Sequence, residues 1–206
     1  MFWTSGIVSY STFFKLCIQC LTAGIILIFM CFNIGCISEL NKRERSNHIK
    51  ALALKDKLVE DLSVNSALPI SWNLINFEIR MYMDRNYVYL KVPPELRGHL
   101  ALKTANSDKN YFQDSIPYIT FKLKEDAKIY VIYSDINTDL DIKWLNEENG
   151  WIKEDLQIET SQWRYQSTRL IKSRSFSKGD AVELWGNGCL SKNCGNYTIV
   201  IIPAIH

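Results

Sequence analysis

The chain predicts a mainly β protein: an antiparallel β-sandwich, jelly-roll-like, preceded by an N-terminal membrane helix and a short linker helix. Three observations carry that expectation. A long uncharged apolar run lies near the start, and a stretch of helically spaced leucines follows it. Beyond these, short alternating stretches are separated by Gly, Asn, Asp and Ser, with no helices between them. The divisions expected are 1–38 for a membrane anchor or signal segment, 39–76 for a helical linker and 77–206 for the sandwich.

The apolar run, Cys17 to Ile37, reads CIQCLTAGIILIFMCFNIGCI and has only Gln19, Thr22 and Asn33 as polar interruptions. Roughly 20 such residues at ~1.5 Å rise each span the ~30 Å hydrocarbon core of a bilayer. A core helix of that length normally keeps a polar face. Two membrane readings compete, a retained single-pass anchor and an export signal with Lys15 before the apolar stretch. The anchor is preferred. NIGC, Asn33 to Cys36, looks like a bacterial lipoprotein box in which Cys36 is lipidated, although Asn33 stands where that box usually has Leu.

Orientation draws on two opposed signals. Lys42, Arg43, Arg45 and Lys50 follow the run and outnumber Lys15 before it, which by the positive-inside rule leaves the rest of the chain in the cytoplasm. The cysteines point outward. Four of them, Cys17, Cys20, Cys31 and Cys36, lie in the apolar run, where sulfur behaves as a small apolar group. Cys189 and Cys194 sit in GNGCLSKNCGN, flanked by Gly186, Gly188 and Gly195, so that their sulfurs could meet across a hairpin. A disulfide there, the preferred reading over two reduced thiols on a loop, implies an oxidising compartment. The expectation is therefore a membrane-anchored protein with an extracytoplasmic C-terminal domain.

Between the anchor and the sandwich, Ile49, Leu52, Leu54, Leu58, Val59 and Leu62 recur near helical spacing, which predicts a helix from Asn47 to Leu62. The repeat is too short to sustain a coiled-coil stalk. NSALPISWNLIN, with Pro69, marks the boundary. After it, YITFKLK sets Ile119, Phe121 and Leu123 against Thr120, Lys122 and Lys124, the period of a half-buried strand. KIYVIYS, LQIET, RLIKSRSFS and AVELWG continue the series. NYTIVIIP has no polar alternation and is expected in the middle of a sheet. Tyr130 and Tyr133 fall on opposite faces of one strand, so only one of them is expected in the core.

No catalytic apparatus is visible, and the chain reads as a non-enzyme without a cofactor. Of His48, His99 and His206, only His99 lies within the sandwich, and no second His or Cys stands at metal-ligand spacing. There is no nucleophile elbow and no phosphate-binding glycine loop. A net charge of +2 gives no case for nucleic acid. Asn106 and Asp108 carry the oxygens a hard cation takes, but an Asx-turn closing TANSDK is the better account, and no metal is expected.

MYMDRNYVYLKVPPELRGHLALKTANSDKN, ITFKLKEDAKIYVIYSD, KWL, RSFSKGDAVELWGNG and NYTIVIIP occur in one order. Together they resemble a bacterial extracellular β-sandwich module, carbohydrate-binding-like, found appended to secreted polysaccharide-degrading and adhesive proteins. The matching positions are Asp84, Arg85, Tyr87, Val92 and Pro93, then Thr104, Ala105, Asn106, Asp108 and Lys109. Tyr130, Tyr133, Asp135, Trp144, Leu145, Gly186 and Asn187 complete the set. The resemblance covers Met81 to Pro203. It departs at Ser134, which separates Tyr133 from Asp135, at Trp185 in place of Gly, and in the cysteine loop.

The resemblance implies a non-catalytic module that binds glycan or another surface polymer. The alternative is an assembly protein whose sandwich contacts another protein at the membrane. A sugar-binding surface needs exposed aromatic faces beside polar groups, and Trp151, Trp163, Trp185 and Asn187 are the candidates. Trp151 leads, because Asn146, Glu147, Glu148, Asn149 and Lys153 surround it in sequence and Gly150 leaves room for a sugar ring. Trp144 is expected in the core.

Overall fold

The computed structural model describes residues 42–111, 116–134, 142–162, 165–188 and 195–204. The apolar run with Cys36, the residues Cys189 to Cys194, and Trp163 lie outside them. Among the described residues, no helix is long and apolar enough to cross a membrane. The chain divides into two compact units, Met1–Arg45 and Ser46–His206, and the sheets belong to the second.

A helix, α1, covers 42–58. Within the second unit it buries Ala51 and Leu58, packs Leu54 partly into the core and leaves Ile49 and Leu52 exposed. The helix was expected to reach Leu62 but stops four residues earlier. The chain passes directly into strand β1 (Val59–Val64), which pairs with β5 (Ile119–Leu123). Val59 is buried there, and the pairing outweighs the helical spacing of the leucines. The register shifts between Glu60 and Ser63, and Asp61 at φ 53° absorbs the irregularity in the left-handed region that Asp tolerates. Residues 39–76, expected as a helical linker, thus supply β1 and also β2 (Ser71–Leu74).

Strands β1, β5 and β10 (Ala181–Leu184) form a small antiparallel sheet. The larger sheet runs β2, β4 (Leu100–Lys103), β11 (Thr198–Pro203), β6 (Ala127–Ser134), β9 (Tyr165–Phe176), β8 (Ile158–Gln162) and β3 (Tyr89–Lys91). A two-residue strand β7 (Ile152–Lys153) also lies against β9. Every pairing is antiparallel. In place of the expected jelly-roll-like sandwich, the sheets form a curled half-barrel. β11 sits between β4 and β6, the central place that its unalternating sequence predicts.

The curl gives the large sheet two buried faces. Ile129, Val131 and Tyr133 of β6 join the cluster between the sheets, with Phe121, Val182, Ile199 and Trp151. Tyr130 and Ile132 point the other way, into a cluster with Ile75, Met81, Tyr82, Tyr89, Val92 and Leu96. Both tyrosines are therefore core residues, each 8% exposed. The expectation of one exposed tyrosine fails because the segment carrying Tyr82 and Tyr89 covers the face that a flat sheet would leave to solvent. The small sheet keeps its polar side: Ile119, Phe121 and Leu123 are buried while Lys122 is exposed.

Candidate functional site

Trp151 is not a surface platform. It is 2% exposed, and its ring meets Trp144 edge to face at 5.7 Å and Phe176 at 6.2 Å. The polar residues before it form a turn. Asn149 N donates to Asn146 Oδ1 (2.9 Å), Gly150 N to Glu147 O (2.9 Å) and Trp151 N to Asn146 O (3.0 Å), with Gly150 at φ +78°. That turn leaves Glu147 and Glu148 exposed, ties the Asn146 and Asn149 amides to its own backbone and swings the indole inward. The polar neighbours along the chain are therefore not the neighbours of the ring. Trp144, expected in the core, is the more exposed of the pair; it is half-buried and donates its Nε1–H to Gly186 O at 3.2 Å.

Trp185 is half-buried, and its carbonyl accepts the Tyr197 hydroxyl at 2.9 Å. Asn187 is buried and commits its Nδ2 to Gly195 O at 2.7 Å, bridging the base of the segment that carries the two cysteines. Gly186 is demanded by sterics, since a Cβ there would lie 1.9 Å from the Tyr111 carbonyl oxygen.

Asn106 and Asp108 are also taken up by the fold. Asn106 Oδ1 accepts Asn196 N at 3.1 Å, while Asp108 Oδ2 accepts the Ser66 and Tyr118 hydroxyls at 2.8 and 2.7 Å. Among the described residues, no group of three His, Cys, Asp or Glu side chains could hold a metal ion. TANSDK is not closed by its own Asx side chain. Asn106–Asn110 forms a 3-10 helix whose first amides are capped from afar by Asp84: Oδ1 accepts Asn106 N at 2.6 Å, and Oδ2 accepts Ser107 N at 3.0 Å and Ser107 Oγ at 2.6 Å. Partial burial would raise the Asp84 pKa, but these hydrogen bonds and Arg85 outweigh it and hold the carboxyl below its ordinary value.

Beneath this cap, Arg169 is fully buried and donates Nε to Thr160 Oγ1 at 3.1 Å. The Tyr82 hydroxyl donates to Asn196 O, and Asn196 Nδ2 to Ala105 O at 3.0 Å. Burial pushes the Tyr82 pKa up despite the nearby guanidinium. A Cβ on Gly195 would come within 2.8 Å of the Tyr82 hydroxyl and 3.4 Å of the Arg169 guanidinium. Asp84, Asn106, Trp144, Gly186 and Asn187 thus tie loops together at one end of the sheet.

The other end carries an open cleft of about 530 Å³, where β6 begins and β9 and β11 end. Its lining includes Asp126, Lys128, Tyr130, Ser175, Ser177, Asp180 and Ile202. Cross-strand register explains the grouping. Lys128 stands opposite both Ser175 and Ile202, and Tyr130 opposite Ser173 and Val200, so all these side chains share one face of the large sheet. Lys128 Nζ lies 5.1 Å from the Tyr130 ring centroid and 2.7 Å from Glu154 Oε1, which also accepts the Ser173 hydroxyl.

Lys128 and then Ser173 hold the Glu154 carboxyl below its ordinary pKa. Burial alone would lower the Lys128 pKa, but Glu154 and the tyrosine raise it overall. Asp126 Oδ1 accepts Lys178 N and Asp180 Oδ2 accepts Ser177 N, each at 2.7 Å. Sequence reasoning, drawn to tryptophans, missed this constellation. The signal was the i, i+2 spacing of Lys128 and Tyr130 in KIY.

No protein-family model matches the chain, and no curated protein matches it. Among solved structures it is similar to a beta-glucuronidase from glycoside hydrolase family 2. That likeness has a TM-score of 0.61 and 20% identity, over 70% of this chain and 14% of that one. It is also similar to a GH138 enzyme targeting pectin rhamnogalacturonan II, with a TM-score of 0.45 and 11% identity, over 78% of this chain and 20% of that one. The chain thus spans a small fraction of either enzyme. The first likeness shows a shared fold.

Proposed function

We propose that this protein is a non-catalytic glycan-binding module held at the outer face of a membrane by its apolar N-terminal run. The observation that carries the reading is the open cleft, where serine hydroxyls, carboxylates and an ammonium stand beside the half-buried Phe176, Ile202 and Pro203. A sugar ring presents an apolar C–H face with hydroxyls at its edge, and such a ligand fits a partly apolar cleft with a few polar groups around it. The cleft volume, about 530 Å³, falls in the range of small-ligand sites. Asp126 and Asp180 act as turn caps on backbone amides, which suits binding better than acid–base work. The half-barrel shared with part of a family 2 beta-glucuronidase is compatible with this role.

Affinity electrophoresis of the full chain in non-ionic detergent, through gels containing cellulose derivatives, mannan, galactan or β-glucan, tests the reading. At least one polysaccharide should retard the wild type, and Ser175→Trp, which fills the cleft from an exposed lining position, should migrate as in an empty gel while keeping its melting transition. Unretarded migration of the wild type in every gel would sink the proposal. Protease accessibility in intact cells tests the outward placement, since digestion only after lysis would reverse it.

A second reading, an assembly protein at the membrane, draws on Ile49 and Leu52, which leave α1 at 63% and 40% exposure. Cross-linking to one membrane protein that is lost in Ile49→Asp would favour it.

A further inference from the structure

We infer that the glycan site is longer than the cleft and takes a chain of several sugar rings, one of which stacks on Phe77. The inference rests on the glycan-binding reading. Leu74, Leu100, Ile201, Ile129 and Arg174 stand opposite one another across β2, β4, β11, β6 and β9, and so mark one row of the large sheet. One residue further along, Ile202, Lys128 and Ser175 line the cleft. On the other side of β11 the same step reaches His99 and Ile75, where Ile75 N donates to His99 O at 3.0 Å. Phe77 follows two residues later. The cleft and Phe77 therefore lie at the same end of the sheet. From β9 to β2 is four strand spacings, about 20 Å along the sheet.

Phe77 is held outward by its own turn. Among the described side chains it is the one aromatic left exposed, at 45%. Ile75 and Ile79, on either side of it, are buried, so the flanks anchor the turn while the ring stands in solvent. Glu78 takes φ 61°, a left-handed conformation that is costly for a residue with a side chain. Hydrogen bonds fix it: Phe77 N donates to Asn76 Oδ1 at 2.9 Å and Glu78 N to Tyr89 O at 2.8 Å. An aromatic already fixed in place loses little freedom when a ligand stacks on it. Beside the turn, Gly98 donates its N–H to Ile75 O at 2.9 Å, and nothing lies within 4 Å of a Cβ built on it, so the surface there is open. A single ring in the cleft leaves Phe77 unused. A chain lying across the strands meets both.

The test takes the polysaccharide that retards the wild type and compares its disaccharide with longer oligomers of the same linkage, by calorimetry on the full chain in detergent. Affinity should rise with length, by about tenfold once the oligomer spans both places, as one added aromatic contact implies. Phe77→Ala should remove that gain, leave the disaccharide affinity as it was and keep the melting temperature; Phe77→Trp should restore the gain. Equal wild-type affinity for disaccharide and long oligomer, or long-oligomer binding untouched in Phe77→Ala, would overturn the inference while leaving glycan binding standing. The length dependence is read on the wild type and so does not depend on the variant folding. If no polysaccharide binds the wild type, the glycan reading falls, and this inference with it.

Discussion

Trp144 and Trp151 meet edge to face, with centroids 5.7 Å apart and planes at 78°, and the one bordered by polar residues in the sequence is the one fully enclosed. Trp151→Ala removes a ring that also touches Phe176, leaving a void between the sheets. The expected loss is about 3–5 kcal/mol in urea unfolding. Trp144→Ala, at a half-buried position, should cost less. The reverse order would contradict the packing.

The N-terminal limit of the fold can be located by truncation. A chain beginning at Ser66 lacks β1 and the buried Ala51, Leu58 and Val59, and it bares one edge of β5. It should aggregate. A chain beginning at Ser46 keeps all of these and should be soluble, with a strand-rich circular dichroism spectrum. A well-folded Ser66 product would show that β1 is dispensable.

Asp84 sets part of the acid limb of stability. Its folded pKa lies below that of the unfolded chain, so its contribution is complete above the ordinary aspartate value of 3.8 and is lost as pH falls through the folded value. Asp84→Asn should destabilise the protein at pH 7 and make it less sensitive to acid below pH 4 (about the ordinary carboxylate range). Thermal melts from about pH 2 to 7 read this directly. Parallel curves for the two proteins would remove Asp84 from the account.

Gly186→Ala and Gly179→Ala separate two reasons for glycine. At Gly186 the added methyl would lie 1.9 Å from a backbone oxygen, so the chain itself must move, at a cost of about 3 kcal/mol or more. At Gly179 nothing lies within 4 Å and only the φ of +88° opposes the change. That costs about 1 kcal/mol. Equal melting temperatures for the two variants would refute the close approach.

What the sequence made legible was periodicity. The alternation of β5 and the unbroken apolar run of β11 led to the right strand types and the right central position, because burial follows the local pattern of side chains. The end of α1 was hidden because Val59 belongs equally well to a helix face and to a strand, and only its pairing with Leu123 decides. Trp151 was misjudged because a turn separates chain neighbours from spatial ones. The cap on Asn106 and Ser107 comes from Asp84, more than twenty residues away, and no local rule reports such a partner. The cleft is composite in the same way, joining β6, β9 and β11 across the sheet.

The place of β11 bears on the order of assembly. Among the described residues it is the last strand in chain order, yet it lies between β4 and β6 and pairs with both. Until it has been synthesised, the large sheet is two fragments with bare facing edges, and neither half can complete its hydrogen-bond ladder. Closure waits on contacts between residues roughly 70 to 100 positions apart, such as Val200 with Tyr130 and with Ala101. The large sheet therefore cannot close strand by strand in chain order, and the facing edges of β4 and β6 stay open to pairing with other copies until β11 arrives.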